Sequence, residues 1–296
     1  MKNFVLEKIY PQLGAVAIID NNNVSIFQNS KNNEEFEVGS LTKLFTAELV
    51  AEQIRVGNIK LDDTLDSFFC MPSNSYIPTI GDLLSHFSGY QKDYFELLPL
   101  IRCALHLDKY IINTKSVISS RIKREKLNSP PTRFLYSNFG YAILGLVLEE
   151  LSSKCYSDII SDYTLRLGLE HTRINNRPDT RLWDWKANDC FIAAGGITST
   201  IDDMAKFAHH LLLNNGVPRG YDKLRTINDS SDIAIGMSWR IRNDNTAYHT
   251  GCTASFNSYI SLDVGNQRAV VVLLNSPMNK NLSAKELGVL IESKLR

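Results

Sequence analysis

Three short groups of residues carry side chains that together suit acyl transfer to a serine. They are Ser40-Leu41-Thr42-Lys43, Tyr136-Ser137-Asn138 and His249-Thr250-Gly251, in that order along the chain. A serine hydroxyl is a weak nucleophile at neutral pH, so a catalytic serine needs a base within hydrogen-bonding reach. If a helix begins near residue 40, Lys43 lies one turn away on the face that carries Ser40. The spacing therefore predicts a nucleophile and base pair in which a buried, uncharged amine activates Ser40.

Ordinary structural interpretations stand beside this one. Ser40 suits a helix N-cap, which would make Lys43 a surface lysine. Tyr136 is one of twelve tyrosines, of which most fill a core, and Asn138 suits a turn or an N-cap. His249 would then be a strand histidine whose ring nitrogens have structural partners.

A second Ser-x-x-Lys, formed by Ser120 and Lys123, shows that this spacing alone is weak evidence for a catalytic pair. It lies in the cation-rich stretch 115–126, where we expect a solvated helix face. Ser40, by contrast, is followed by the apolar, helix-forming residues 44–50. Burial of the turn that follows Ser40 favours catalysis there and not at Ser120.

Further segments around the motifs match a known family. They are residues 36–40, 79–89, 134–141, 194–200 and 236–239. With the three motifs, they resemble the class C serine β-lactamases and the related D-alanyl-D-alanine peptidases and esterases. The resemblance covers most of the chain and implies an acyl-enzyme mechanism without a metal or an organic cofactor.

The resemblance also implies roles in catalysis and carbonyl binding. Tyr136 is expected to share a proton with Lys43 and to pass it to the leaving group. Asn138 is expected to hold the carbonyl oxygen of the substrate through its side-chain amide. The backbone N–H groups of Ser40 and Cys252 would form the oxyanion hole, which uses only main chain and so permits a cysteine at position 252.

The third motif is a variant of the commoner Lys-Thr-Gly. By resemblance, His249, Thr250 and Gly251 line one wall of the cleft and bind substrate, and glycine allows the backbone to approach closely. If His249 receives a substrate carboxylate, binding should weaken as the pH rises through the histidine pKa, near ~6.5 when unperturbed.

Two departures from the family pattern concern the shape of the cleft. Ser255 stands where the family usually has a glycine before an aromatic residue, and Pro130-Pro131 replaces the usual Pro-Gly. The interval from Asn138 to His249 is also short. No proposed catalytic atom changes, but these departures leave the substrate class open.

Composition narrows the class of protein. The 296 residues are 44% hydrophobic and 22% charged, which is ordinary for a globular protein. Lysine plus arginine equals aspartate plus glutamate at 32 each, so no net field favours nucleic acid. We expect a small molecule or a short peptide as the substrate. The five cysteines indicate neither a disulfide framework nor a zinc site.

The first eight residues contain no apolar run of the kind found in signal peptides, and no apolar run is long enough to span a bilayer. The sequence therefore predicts a cytoplasmic protein; an export signal ahead of residue 1 would favour the cell envelope instead.

Residue patterns predict an α+β fold. Five strands are expected at 15–20, 24–27, 246–253, 255–263 and 269–275, forming one antiparallel sheet flanked by terminal helices. The middle is expected to be helical, at 80–87, 108–126, 140–152, 156–167 and 202–213. We thus predict a sheet lobe of residues 1–65 and 230–296 and an inserted helical lobe of residues 66–229. The three motifs would line the cleft between them, with His249 on an edge strand.

Three functions fit these features. The first is an intracellular esterase or peptidase, and the second keeps the chemistry but acts on β-lactams or D-alanyl peptides at the cell envelope. The third is a penicillin-binding sensor that acylates slowly. Turnover of a chromogenic ester separates the third from the other two.

Overall fold

The computed structural model of the chain describes residues 1–10, 12–91, 113–175, 185–186, 188–214, 216–227, 234–276 and 282–295. Its helices are α1 (Lys2–Ile9), α2 (Thr42–Arg55), α3 (Ile80–Leu84), α4 (Lys115–Arg124), α5 (Asn138–Ser152), α6 (Tyr156–Arg166), α7 (Ile192–Gly195), α8 (Ile201–Leu213) and α9 (Ala284–Leu295). The strands are β1 (Leu13–Asp20), β2 (Asn23–Gln28), β3 (Phe36–Glu37), β4 (Arg173–Ile174), β5 (Ile197–Ser199), β6 (Arg225–Thr226), β7 (Ala234–Ile235), β8 (Arg240–Ile241), β9 (Ala247–Cys252), β10 (Asn257–Asp263) and β11 (Arg268–Asn275).

Among the described residues, the main sheet is antiparallel and has eight strands in the order β2-β1-β11-β10-β9-β8-β7-β6. The mixed fold, the sheet formed from both chain ends and the terminal helices are confirmed. The predicted number of five strands is wrong, because β6, β7 and β8 extend the sheet beyond β9. Each of these three strands has two residues, which is too short to show an alternating pattern.

A second, three-stranded sheet in the order β3-β5-β4 was not predicted. Phe36 pairs with Ser199 and Glu37 with Thr198, so β3 is fixed immediately before the Ser40 motif. The small sheet therefore determines where the chain enters α2.

Both faces of the main sheet are covered. Along β1, Val16 and Ile18 pack in a cluster with residues of α1 and α9, including Ile9 and Leu287. The alternate residues of β1 belong to the larger core on the helical side. Successive side chains of a strand point to opposite faces, so this sheet is a central layer between two layers of helices.

The helices of the middle region lie close to their predicted positions. Those predicted at 80–87, 140–152, 156–167 and 202–213 correspond to α3, α5, α6 and α8. The helix predicted at 108–126 corresponds to α4, and residues 108–112 lie outside the described residues. No helix within the described ranges has the length and apolarity needed to cross a bilayer.

Candidate active site

The Ser40 motif begins at a tight turn held from two sides. Gly39 has φ +53°, a left-handed conformation that glycine adopts without steric cost, and residues Gly39–Leu41 form a short 3-10 helix. Val38, just before it, donates its N–H to the carbonyl of Ile197 at 3.1 Å and accepts the Ser258 hydroxyl at 2.8 Å. Strands β5 and β10 thus fix the turn that carries Ser40, whose side chain remains partly exposed.

Lys43 lies in the first turn of α2, a helix buried on all sides from Thr42 to Ala51. The side chain is fully buried, and its Nζ donates to Ser40 Oγ at 3.3 Å, Asn138 Oδ1 at 2.7 Å and the Ala194 carbonyl at 2.7 Å. Three acceptors match the three N–H groups of an ammonium. The amine predicted beside Ser40 is therefore there, within hydrogen-bonding distance of three oxygen atoms.

Tyr136 reaches the same serine oxygen from a different element. Its hydroxyl donates to Ser40 Oγ at 2.7 Å, and Lys43 Nζ lies 4.9 Å from the centroid of its ring. The amine and the phenol hydroxyl thus meet at Ser40 Oγ, although they lie more than ninety residues apart in sequence.

The second motif is fixed by the start of α5. Ser137 is the N-cap, and its hydroxyl accepts the N–H of Gly140 at 3.0 Å. Asn138 is the first residue of the helix, and its amide oxygen accepts from Lys43. The N-cap interpretation thus applies to Ser137, whereas Tyr136 and Asn138 both contact the Ser40 and Lys43 pair.

The third motif lies on β9, which is an interior strand of the sheet. On one side it pairs with β10, where His249 lies opposite Ile260 and Gly251 opposite Ser258. On the other side β8 pairs only as far as Tyr248. The prediction that the motif lies on an edge strand is wrong, because β9 has a neighbouring strand on each side. The motif nevertheless lies past the end of the short strand β8.

Two glycines allow β9 to approach the nucleophile turn. A Cβ atom at Gly251 would lie 2.0 Å from the Val38 carbonyl oxygen and 3.1 Å from the backbone nitrogen of Ser40. A Cβ atom at Gly39 would lie 2.8 Å from the backbone nitrogen of Cys252. Side chains are excluded at both positions, so the main chains of the two elements lie against each other beside Ser40. Along β9 the exposure alternates: Thr250 and Cys252 are exposed, while Gly251 is buried.

His249 is buried and uncharged. Only 5% of it is exposed, and its Nε2 lies 3.1 Å from the hydroxyl of Ser238. Burial lowers its pKa to about 3, and the positive charges of Lys43 and Arg240 act in the same direction. The expected titration near pH 6.5, and with it a charged His249 that receives a carboxylate at neutral pH, does not fit this environment.

Several residues of the site were not assigned a role from sequence. The Ala194 carbonyl accepts from Lys43, the Arg240 guanidinium lies 4.9 Å from the centroid of the Phe134 ring, and His86 packs 4.5 Å from the Tyr136 ring. All of them lie in or directly beside the segments that match the family, 79–89, 134–141, 194–200 and 236–239. This position in the sequence could have indicated that they belong to the site. The described residues contain no group of three or more histidine, cysteine or acidic side chains arranged to hold a metal ion.

Two curated proteins are similar to this chain in sequence. Protein flp of Staphylococcus aureus (strain MW2) is 23% identical over an alignment of 279 residues, which covers 81% of this chain and 53% of that protein. The D-alanyl-D-alanine-carboxypeptidase/endopeptidase AmpH of Escherichia coli (strain K12) is 26% identical over an alignment of 210 residues, which covers 64% of this chain and 52% of AmpH. The chain thus spans about half the length of these relatives.

Solved structures share the fold over nearly the whole chain. A β-lactamase/D-alanine carboxypeptidase from Yersinia pestis, complexed with citrate, has a TM-score of 0.81 at 20% identity and covers 99% of this chain and 96% of its own. A class C β-lactamase has a TM-score of 0.78 at 17% identity and covers 100% of this chain and 96% of its own. At such identities the likeness concerns the fold.

The family model named Beta-lactamase matches residues 11–290, a range that contains all three motifs and every residue of the site. The resemblance based on the motifs is thereby confirmed. The relatives and the solved structures with this fold include β-lactamases and D-alanine carboxypeptidases, which are serine hydrolases. This chain belongs to the β-lactamase family.

Proposed function

We propose that the protein is a serine hydrolase that forms an acyl-enzyme on Ser40 with ester, amide or lactam substrates. The observation that carries the proposal is the contact of both Tyr136 and Lys43 with Ser40 Oγ, at 2.7 and 3.3 Å. Ser40 is partly exposed while Lys43 is fully buried, so a substrate can reach the oxygen but not the amine. This is the arrangement of an activated nucleophile.

Proton movement in the proposed reaction follows from the contacts of the pair. Ser40 Oγ attacks the carbonyl carbon, and its proton passes to the pair formed by Lys43 and Tyr136. An ammonium together with a neutral phenol has no place for that proton, so the reactive state of the pair carries one proton fewer. The pair then delivers a proton to the leaving oxygen or nitrogen, and water releases the acyl group in the reverse sequence.

The other motif residues would bind the substrate. In this proposal, the backbone N–H groups of Ser40 and Cys252 stabilise the oxyanion, which the close approach at Gly39 and Gly251 supports. Asn138 holds the substrate carbonyl, while Thr250 presents a hydroxyl from the exposed side of β9. Substrate would enter between the sheet lobe (1–65, 230–296) and the helical lobe (66–229).

An esterase or peptidase acting on a small substrate is the first candidate for the substrate class. Cleavage of D-alanyl peptides is the second, and the name of AmpH together with the two cations near His249, on Lys43 and Arg240, favours it. A free carboxylate at the end of such a peptide would gain from this positive field, although His249 itself is neutral.

The test is intact-protein mass spectrometry after mixing with aryl esters, D-alanyl peptides and β-lactams, for the wild type and for Ser40→Ala. We expect an adduct on the wild type alone and multiple turnover with at least one class. Comparing a peptide that ends in D-alanine with its C-terminal amide separates the two candidates, because only the second candidate prefers the free carboxylate. An adduct without turnover would point to a slow-acylating sensor, and absence of both adduct and turnover across the panel would contradict the proposal.

A further inference from the structure

A buried chain of side chains connects the second motif with the third. It contains His86, Ser238 and His249, which are 0%, 1% and 5% exposed. His86 Nε2 lies 3.2 Å from Ser238 Oγ, and Ser238 Oγ lies 3.1 Å from His249 Nε2. We call this chain the His86-Ser238-His249 bridge.

The protonation of His86 follows from its partners. The backbone N–H of Ser137 donates to His86 Nδ1 at 3.2 Å, so that nitrogen must be the acceptor. A neutral imidazole has one N–H, which therefore lies on Nε2 and donates to Ser238 Oγ. The hydrogen bond from Ser137 also links His86 to the residue that follows Tyr136. The centroids of the His86 and Tyr136 rings lie 4.5 Å apart.

The backbone of Ser238 is unusual for a serine. Its φ is +67°, in the left-handed region that residues other than glycine seldom adopt. Its N–H donates to the Leu84 carbonyl at 2.8 Å, which also accepts the Tyr141 hydroxyl at 3.0 Å. Strained residues of this kind persist where the surrounding structure requires them, and here glycine would provide the backbone conformation without the hydroxyl.

We propose that Ser238 and His86 are positioning residues that hold the Tyr136 loop and strand β9 at a fixed separation on either side of Ser40. The bridge acts through Tyr136 and His249, and neither positioning residue contacts the reacting atoms. The role rests on the proposed function, because it assigns a purpose in acyl transfer to contacts that are otherwise structural.

Burial keeps the bridge neutral, and the nearby cations add to the effect. Burial holds the pKa of His86 well below its usual value, and the positive charges of Lys43 and Arg240 act in the same direction. Because its groups are neutral, the bridge can hold the Tyr136 loop and β9 in place without adding another charge next to Lys43.

The decisive variant is Ser238→Gly. Glycine accepts φ +67° without strain, so the fold should be retained with a Tm within a few degrees of the wild type. Acylation by an alkyl ester or an amide should nevertheless fall about 10- to 100-fold, since a small displacement of a catalytic group has effects of this size. The loss should be smaller for an aryl ester, because its leaving group departs without the proton that Tyr136 supplies.

The matched control is Ser153→Gly. Ser153 also has a left-handed backbone, with φ +55°, but it is exposed at the end of α5 and far along the helix from the motif. The control should leave every acylation rate unchanged. His86→Asn provides a second variant, since asparagine tolerates the left-handed φ of +60° and is too short to span from Ser137 to Ser238.

Ring-nitrogen NMR of the histidines provides a readout that does not depend on activity. In the wild type, His86 should show a neutral ring with its proton on Nε2, and the signals of His86 and His249 should both shift in Ser238→Gly. Equal losses for aryl and alkyl esters, or unchanged histidine signals in Ser238→Gly, would overturn the positioning role. If the wild type forms no acyl-enzyme at all, the proposed function fails instead, and the positioning role fails with it even where NMR finds the contacts.

Discussion

Two segments of this chain share the pattern Ser-x-x-Lys on a helix but have opposite environments. In the first, Lys43 is fully buried and donates to Ser40 Oγ, Asn138 Oδ1 and the Ala194 carbonyl. In the second, Ser120 and Lys123 are both exposed on α4, whose buried residues are Ile118 and Ile122 on another face. Spacing puts a serine and a lysine on one helical face in both cases, but only the surroundings of the first pair can hold a proton network together.

The largest difference in turnover is expected between variants of the two serines. Ser40→Ala should reduce turnover of any substrate by about 10⁴-fold or more and abolish the covalent adduct, because the attacking oxygen is removed. Ser120→Ala should retain wild-type turnover. Mass spectrometry and steady-state kinetics on both variants check this, and an adduct that survives Ser40→Ala would assign the nucleophile elsewhere.

Replacement of Lys43 and replacement of Lys123 should differ in their effect on kcat/KM by a smaller factor than the two serine replacements. Lys43→Met removes one partner of the proton-carrying pair and leaves the Ala194 carbonyl without its ammonium, so kcat/KM should fall by about 10³-fold. Lys123→Met removes only an exposed charge and should have no measurable effect. Circular dichroism melts of both variants verify that each is folded, and similar kcat/KM values for the two would contradict the role of Lys43.

Tyr136→Phe tests whether the hydroxyl, apart from the ring, contributes. The ring contacts with His86 remain, so stability should be unchanged while kcat/KM falls about 10²- to 10³-fold. The matched control is Tyr163→Phe, whose buried hydroxyl has no hydrogen-bond partner among the described residues. Wild-type activity in Tyr136→Phe would leave Lys43 as the sole proton carrier.

The smallest effect concerns pH and His249. Because its pKa is about 3, the ring stays neutral from pH 5.5 to 8 and KM for a carboxylate-bearing substrate should change less than about twofold there. The unfolded chain takes up this proton near pH ~6.5, so the same shift lowers stability as the pH falls from that value towards 3. A KM that rises steeply through pH 6.5, accompanied by a titrating His249 NMR signal, would contradict the neutral ring.

The sequence predicted the elements that are long enough to show a period. The hairpin of β1 and β2, the strands β9 to β11 and the helices α5, α6 and α8 each extend over enough residues for apolar positions to recur. The two-residue strands β6 to β8 and the small sheet beside Phe36 depend on partners that are distant in sequence and were missed.

In the site, too, local features could be predicted and features that depend on distant residues could not. Spacing predicted that Lys43 lies beside Ser40, and the family resemblance predicted that Tyr136 joins them. The charge state of His249 depends on burial and on Arg240, which no local pattern encodes. The contact of His86 with Ser238 spans 152 residues and could not be read from either segment alone.

The pairing of β1 with β11 has a consequence for how the protein acquires reactivity during synthesis. Asp20 and Arg268 lie opposite each other at the end of this ladder and are joined by a hydrogen bond across 248 residues of sequence. Closing so long a loop is slow, and β9 through β11 are synthesised more than 200 residues after Ser40. A nascent chain therefore contains Ser40 and Lys43 well before the strand that lies against them, and we expect it to be chemically inert until β9 through β11 have been synthesised.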